Sequence, residues 1–226
     1  MPVDHLESGI MWVKICGVRD VDTALAAAAA GAGAVGLNFY HRSPRVVSTE
    51  TAAEIVSRLP PGVEPVGVFV NDTLERIRGI CRLCHIATAQ LHGDEHPVRI
   101  AELSELRVIK GYRVGRDRGL AEVADHLAGC RRFGISPWAC LIDSRADDRY
   151  GGTGEPAPWD VVREQYRIAD WPPLILAGGL RAGNVAEAIG KVAPWGVDVA
   201  SGVESSLACK DPELVRQFVM TARAAR

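Results

Sequence analysis

The chain has 226 residues, of which 47% are hydrophobic and 24% charged, with a formal net charge of -2 and a pI of about 6.3. That balance excludes the basic footprint of a nucleic-acid or anionic-membrane binder, and no apolar run approaches the ~20 residues of a membrane span. The length suits a single large domain, including an α/β barrel of about 200–250 residues.

Residues 1–11 read as an N-terminal extension. Asp4, His5 and Glu7 within it break the basic-then-apolar plan of a secretory signal, which predicts a cytoplasmic protein. From there, apolar runs rich in Val, Ile and Leu alternate with helical patterns. Strand Trp12–Cys16 precedes helix Asp20–Gly31. Ala34–Phe39 precedes Ser48–Arg58, and Pro65–Val70 precedes Thr73–Cys84. Ala87–Leu91 precedes His96–Leu103, and Arg107–Tyr112 precedes Arg118–Arg131. Trp138–Ile142 is followed by a long loop and Trp159–Tyr166. Pro173–Ala177 precedes Asn184–Val192, and Val197–Ala200 precedes Asp211–Arg223. Strands apolar on both faces imply a parallel sheet covered by helices. Eight such units with no linker predict one domain folded as a closed (β/α)8 TIM barrel, with an open doubly wound sheet as the alternative.

The six cysteines, at 16, 81, 84, 130, 140 and 209, are expected to be reduced thiols. Cys81-Arg82-Leu83-Cys84-His85 has the form of a haem attachment motif. It also closes an amphipathic helix with Leu74, Ile77, Ile80, Cys81 and Cys84 on one stripe, and no second Cys/His pair completes a zinc site. The helix reading is preferred, and no metal is expected.

A (β/α)8 barrel builds its active site at the C-terminal ends of its strands. Three glycine groups fall there: Gly151-Gly152-Thr153-Gly154 after strand six, Gly178-Gly179 after strand seven and Ser201-Gly202 after strand eight. Glycine lets main-chain N–H groups approach an anion closely, so Gly152, Thr153, Gly154, Gly178, Gly179, Ser201 and Gly202 are candidate phosphate ligands. Tight turns are the plain alternative. Cys16 ends strand one on the same face as Lys14 and reads either as a small buried hydrophobe or as a catalyst. Asp143 ends strand six, where a carboxylate needs a role, a cap or an ion partner. Thiol and carboxyl at one barrel mouth suit an acid–base pair working on a small sugar. Arg45, set by Ser43-Pro44, is a candidate for binding a carboxylate bidentately. His92 and Asp198 are candidate substrate contacts or structural groups. Polar residues at strand ends also include Asn71, Asp72 and Gln90, the last sharing a face with His92.

The ordered set of these segments resembles the phosphoribosylanthranilate isomerase family of tryptophan biosynthesis across roughly residues 12 to 220. The stretches that carry the resemblance are Val13-Lys14-Ile15-Cys16-Gly17, Ser43-Pro44-Arg45, Val66-Gly67-Val68-Phe69-Val70-Asn71, Gln90-Leu91-His92-Gly93-Asp94 and Val108-Ile109-Lys110. They continue through Leu141-Ile142-Asp143, Tyr150-Gly151-Gly152-Thr153-Gly154, Leu176-Ala177-Gly178-Gly179-Leu180 and Asp198-Val199-Ala200-Ser201-Gly202-Val203-Glu204. The resemblance implies an Amadori rearrangement of N-(5-phosphoribosyl)anthranilate to 1-(2-carboxyphenylamino)-1-deoxyribulose 5-phosphate. It implies Asp143 as general acid, Cys16 as general base, Arg45 on the anthranilate carboxylate, Asp198 near the bridging amine and the glycine groups on the phosphate. It implies no metal or organic cofactor and no partner beyond the phosphosugar substrate, and the sequence leaves monomer and homodimer open. A free thiol is mostly protonated at neutral pH, so a base at 16 is expected to need help, from Lys14 or from nearby backbone dipoles.

Two departures stand out. Ser205–Asp211 lacks the Pro-Gly that members often carry before Lys-Asp, and Glu155–Asp160 is unusually rich in proline. The rival readings are the histidine-pathway isomerase, which places a carboxylate where this chain has Cys16, and indole-glycerol-phosphate synthase. A non-catalytic phosphosugar-binding module and a redox thiol protein complete the alternatives.

Overall fold

The computed structural model describes residues 10–115, 119–144 and 159–225. The main elements are β1 (Trp12–Cys16), α1 (Val21–Ala29), β2 (Ala34–Asn38), α2 (Thr49–Arg58), β3 (Glu64–Phe69), α3 (Leu74–Leu83), β4 (Thr88–Leu91), α4 (Val98–Glu102), β5 (Arg107–Val114), α5 (Ala121–Arg132), β6 (Ala139–Ser144), α6 (Trp159–Gln165), β7 (Leu174–Ala177), α7 (Ala182–Val192) and β8 (Gly196–Val199), with α8 (Pro212–Ala224) closing the chain. The strands pair in sequence order into a closed parallel barrel, β8 returning to β1. The expected (β/α)8 architecture is therefore the observed one.

Local chemistry starts the helices where the chain needs them. Asp20, Ser48 and Thr73 each accept a hydrogen bond from the N–H three residues on, and Asp211 accepts from Glu213 and Leu214 with Pro212 following. Alternation along the strands then divides the core in two. Val13, Ile15, Val35, Leu37, Leu91, Val108, Ile142 and Leu176 face the helices in one cluster. Trp12, Ala34, Val66, Ile109, Ala139, Leu141, Ile175 and Ala177 fill the barrel interior in a second. Continuing the inward set along each strand reaches Lys14 and Cys16 on β1, Gln90 on β4, Asp143 on β6 and Asp198 on β8. Those polar side chains thus collect inside one end of the barrel.

The element ends differ from expectation for physical reasons. β5 and β6 run past their apolar segments, because the ladder continues through Arg113 opposite Asp143 and Val114 opposite Ser144; backbone pairing is indifferent to the polarity that ends an apolar run. α4 is shorter than expected and starts after Pro97. α7 starts two residues before Asn184, whose Oδ1 accepts from the N–H of Arg181 at 2.8 Å. After β8 the chain makes a 3-10 turn (Ser201–Val203) and a small antiparallel hairpin of β9 (Glu204–Ser206) and β10 (Cys209–Lys210), which no pattern in the sequence announced.

The Cys-x-x-Cys-His segment is helical core. Cys81 and Cys84 are buried with Ile77 and Ile80, while His85 is exposed at a left-handed residue just past α3. Among the described residues no group of three His, Cys, Asp or Glu side chains is arranged to hold a metal ion, and no helix is long and apolar enough to cross a membrane.

Candidate active site

Register explains the first feature of the barrel mouth. Lys14 on β1 stands beside Asp198 on β8 and beside Ala34 on β2. Its ammonium is wholly buried and donates to Asp198 Oδ1 at 2.6 Å. Two residues on, Cys16 lies level with Gly36. A Cβ at Gly36 would fall 2.9 Å from Cys16 Sγ and 3.2 Å from Lys14 Cε, so the missing side chain makes room for both. Cys16 is 9% exposed, at the edge of the buried interior.

Burial pushes the Cys16 thiol up. Lys14, within hydrogen-bonding reach, and Lys210 pull it down, and Asp198 pushes it up; burial prevails, and the thiol lies above its ordinary 9.0. Lys14 itself is held above its ordinary value: burial lowers it, but Asp198 and then Cys16 outweigh that. Lys14 thus favours the thiolate in the direction expected of it. The cation is in place, but desolvation outweighs it.

Asp143 ends the inward face of β6, its side chain 35% exposed, with Oδ2 3.5 Å from His92 Nε2. Gln90 Nε2 lies 3.1 Å from His92 Nδ1, which bears out their shared face. Gln90 thus holds one ring nitrogen of His92 while the other faces Asp143. His92 lies against β5, where a Cβ on Gly111 would come within 2.4 Å of Nδ1. The loop that carries His92 is braced from behind: Glu95 accepts from the N–H groups of Asn71 and Gly93, and Lys110 lies 3.2 Å from its carboxylate. Asn71 therefore belongs to the scaffold, its Oδ1 accepting from the Asp94 N–H, and Asp72 pairs with Arg76.

Arg45 projects from the loop after β2, where its N–H donates to Ser43 Oγ at 3.1 Å. Gly17, at φ +77, leaves space for its stem, since a Cβ there would meet Arg45 Cδ at 2.5 Å. The guanidinium is held by Glu204 through Nε–Oε1 at 2.6 Å and Nη2–Oε2 at 2.8 Å. Gly178 and Gly179 both take left-handed φ after β7, at 88° and 62°. Ser201 and Gly202 follow β8, and a Cβ on Gly202 would fall 1.8 Å from Leu180 O, so these two loops pack directly on one another. The group Gly151-Gly152-Thr153-Gly154 lies outside the described residues.

The comparisons with known proteins decide the family. The family model for N-(5'-phosphoribosyl)anthranilate (PRA) isomerase matches residues 13–221. The chain belongs to the N-(5'-phosphoribosyl)anthranilate isomerase family. It is 43% identical over 213 residues to the N-(5'-phosphoribosyl)anthranilate isomerase of Trichlorobacter lovleyi, spanning 94% of this chain and 98% of that one. Among solved structures it resembles phosphoribosyl anthranilate isomerase from Thermotoga maritima at a TM-score of 0.84 and 34% identity, covering 95% of this chain and 100% of that one. Similar in fold is a phosphoribosyl anthranilate isomerase in complex with reduced 1-(o-carboxyphenylamino)-1-deoxyribulose 5-phosphate, with a TM-score of 0.80, 32% identity, and 95% and 100% of the two chains covered.

Of the residues picked from sequence in this family member, Cys16, Asp143, His92 and Asp198 converge on the inward face at one end of the barrel, and Arg45 reaches over Gly17 beside them. Reading the sequence missed Gly36 and Gly111, whose signal is an absent side chain that only strand register reveals. It also missed the roles of Glu204 and Lys210; the one trace is a pair of opposite charges six residues apart across a short turn.

Proposed function

We propose that this chain isomerises N-(5-phosphoribosyl)anthranilate to 1-(2-carboxyphenylamino)-1-deoxyribulose 5-phosphate by general acid–base catalysis. The observation that carries the reading is Cys16 and Asp143 on the inward faces of β1 and β6 at one end of the barrel, in a chain of this family. Asp143 protonates the furanose ring oxygen, and the ring opens to a protonated Schiff base between C1 and the anthranilate nitrogen. Cys16 then removes the C2 proton to give a neutral enolamine, and protonation at C1 with loss of the 2-hydroxyl proton yields the aminoketose.

The iminium supplies what the resting thiol lacks. Its positive charge appears one bond from C2, acidifying that C–H and favouring the thiolate at the step that needs a base. Arg45 binds the anthranilate carboxylate. Asp198, anchored by Lys14, faces the bridging amine, and His92 orients Asp143. Gly152, Thr153 and Gly154 with Gly178, Gly179, Ser201 and Gly202 hold the phosphate through main-chain N–H groups and the start of α7, whose first turn carries no acidic residue. The protein works in the cytoplasm as one domain, either alone or as a homodimer.

The test is to supply the purified chain with N-(5-phosphoribosyl)anthranilate and follow loss of anthranilate-type fluorescence and formation of the aminoketose. Growth without tryptophan in cells lacking the isomerase is the in vivo counterpart. Failure of both would refute the assignment, and turnover of an aminoimidazole phosphoribosyl substrate instead would favour the histidine-pathway reaction.

A further inference from the structure

We propose that Glu204, seated by Lys210, is a positioning residue that aims Arg45 and thereby sets this site's preference for a substrate bearing an aryl carboxylate. The proposal rests on the reading of Arg45 given above.

Three observations carry it. First, the Arg45 guanidinium is gripped along one edge, Nε and Nη2, by both oxygens of Glu204, at 2.6 and 2.8 Å. A guanidinium is a planar fork of five N–H donors, so a bidentate grip on that edge fixes its plane and leaves the Nη1 side for a second planar anion. Second, Glu204 is itself immobilised. Its side chain is 5% exposed; Oε1 accepts from Lys210 Nζ at 2.7 Å and Oε2 from the Ala208 N–H at 3.2 Å. Lys210 Nζ in turn donates to Ala200 O at 2.8 Å, next to the end of β8. The chain of contacts therefore runs from the barrel strand through the hairpin to the guanidinium. Third, the stem of Arg45 lies over Gly17, the residue after Cys16, where any Cβ would collide with it. The arm is thus fixed beside the thiol at both ends.

Charge supports the assignment. Two cations share one carboxylate, so the cluster keeps a net positive charge for an incoming anion. Burial alone would raise the Glu204 carboxyl, but the hydrogen bonds from Arg45 and Lys210 overcome this and hold it at about 2, ionised throughout the working pH range. A guanidinium already ordered loses less freedom when the ligand arrives.

The experiment compares kcat/KM for N-(5-phosphoribosyl)anthranilate and for N-(5-phosphoribosyl)aniline, which lacks only the carboxylate. The readout is the ratio of the two. Glu204→Gln is expected to lower that preference about tenfold, mainly through KM of the carboxylated compound, and Glu204→Asp to lower it by less. Arg45→Ala is expected to abolish the preference, and adding Glu204→Gln to it to leave the ratio where Arg45→Ala put it. Equal losses on both substrates, an unaltered ratio, a further drop in the double variant, or failure of both Glu204 variants to fold would each overturn the proposal in favour of a purely structural ion pair. An unmodified chain that turns over neither compound takes down the reading of the reaction as well; a working enzyme with an unaltered ratio takes down only the role of Glu204.

Discussion

At the scale of single residues, Cys16 shows two opposed effects in one place. The same inward position that lets it reach a substrate also strips water from its thiolate, and the adjacent Lys14 ammonium only partly offsets that. The folded protein therefore binds the thiol proton more tightly than an exposed cysteine does. Alkylation of Cys16 by iodoacetamide, followed by peptide mass analysis, is expected to rise with pH with its midpoint displaced upward from the ordinary thiol value of 9.0. A Cys16 midpoint below the ordinary thiol value would contradict the burial argument. The acid–base assignment is tested at the same scale. Cys16→Ala and Asp143→Asn are each expected to reduce kcat by about 10²–10⁴-fold with an unchanged far-UV spectrum and melting curve. Near-normal turnover in either variant removes that residue from its role.

At the scale of elements, the loops after β7 and β8 act as one unit because Gly202 lets them touch. Gly202→Ala puts a methyl into the Leu180 carbonyl, and the loops must separate. The expected result is a loss of about 1–3 kcal/mol of stability, together with weaker binding of a phosphosugar product analogue, measured by denaturant unfolding and calorimetry. Stability loss with intact binding would uncouple Gly202 from the phosphate. The hairpin behind β8 carries a pH signature. The folded state holds the Glu204 proton more weakly than the unfolded chain does, with a carboxyl at about 2 against an ordinary 4.5. Its stabilising contribution is therefore complete above about 4.5, declines as pH falls, and is gone below about 2. The stability gap between the parent chain and Glu204→Gln should shrink over that window, and a gap independent of pH would refute the ion-pair account.

At the scale of the whole molecule, the barrel separates stability from chemistry along its axis. The end opposite the candidate site is plugged by Trp12, stacked on Trp195 with ring centroids 5.2 Å apart and edge-on to Trp138 at 6.4 Å. Trp12→Ala is expected to cost about 3–5 kcal/mol and to leave kcat unchanged at a temperature where the variant is folded. A fall in kcat with preserved folding would show that the two ends communicate. At the mouth, by contrast, Lys14→Met leaves Asp198 buried without its partner, and a loss of about 3–5 kcal/mol is expected there along with activity.

The order of strands and helices was legible in the linear chain because each element's own pattern encodes it: apolar runs bounded by Gly and Pro, Asp20, Ser48, Thr73 and Asp211 at helix starts, and a repeat that never breaks. The strand-end positions of Cys16, Asp143 and His92 were legible for the same reason, since alternation along a strand is a local property. Which charges neutralise one another was not. Lys14 meets Asp198 only because β8 closes onto β1, Arg45 meets Glu204 only because that closure brings the loops after β2 and β8 to either side of β1, and Gly36 makes room for the thiol only through strand register. Those contacts join residues as many as 184 positions apart, and periodicity carries no information about a partner so distant; burial of the thiol, which sets its proton affinity, is likewise a property of the closed barrel and not of any segment.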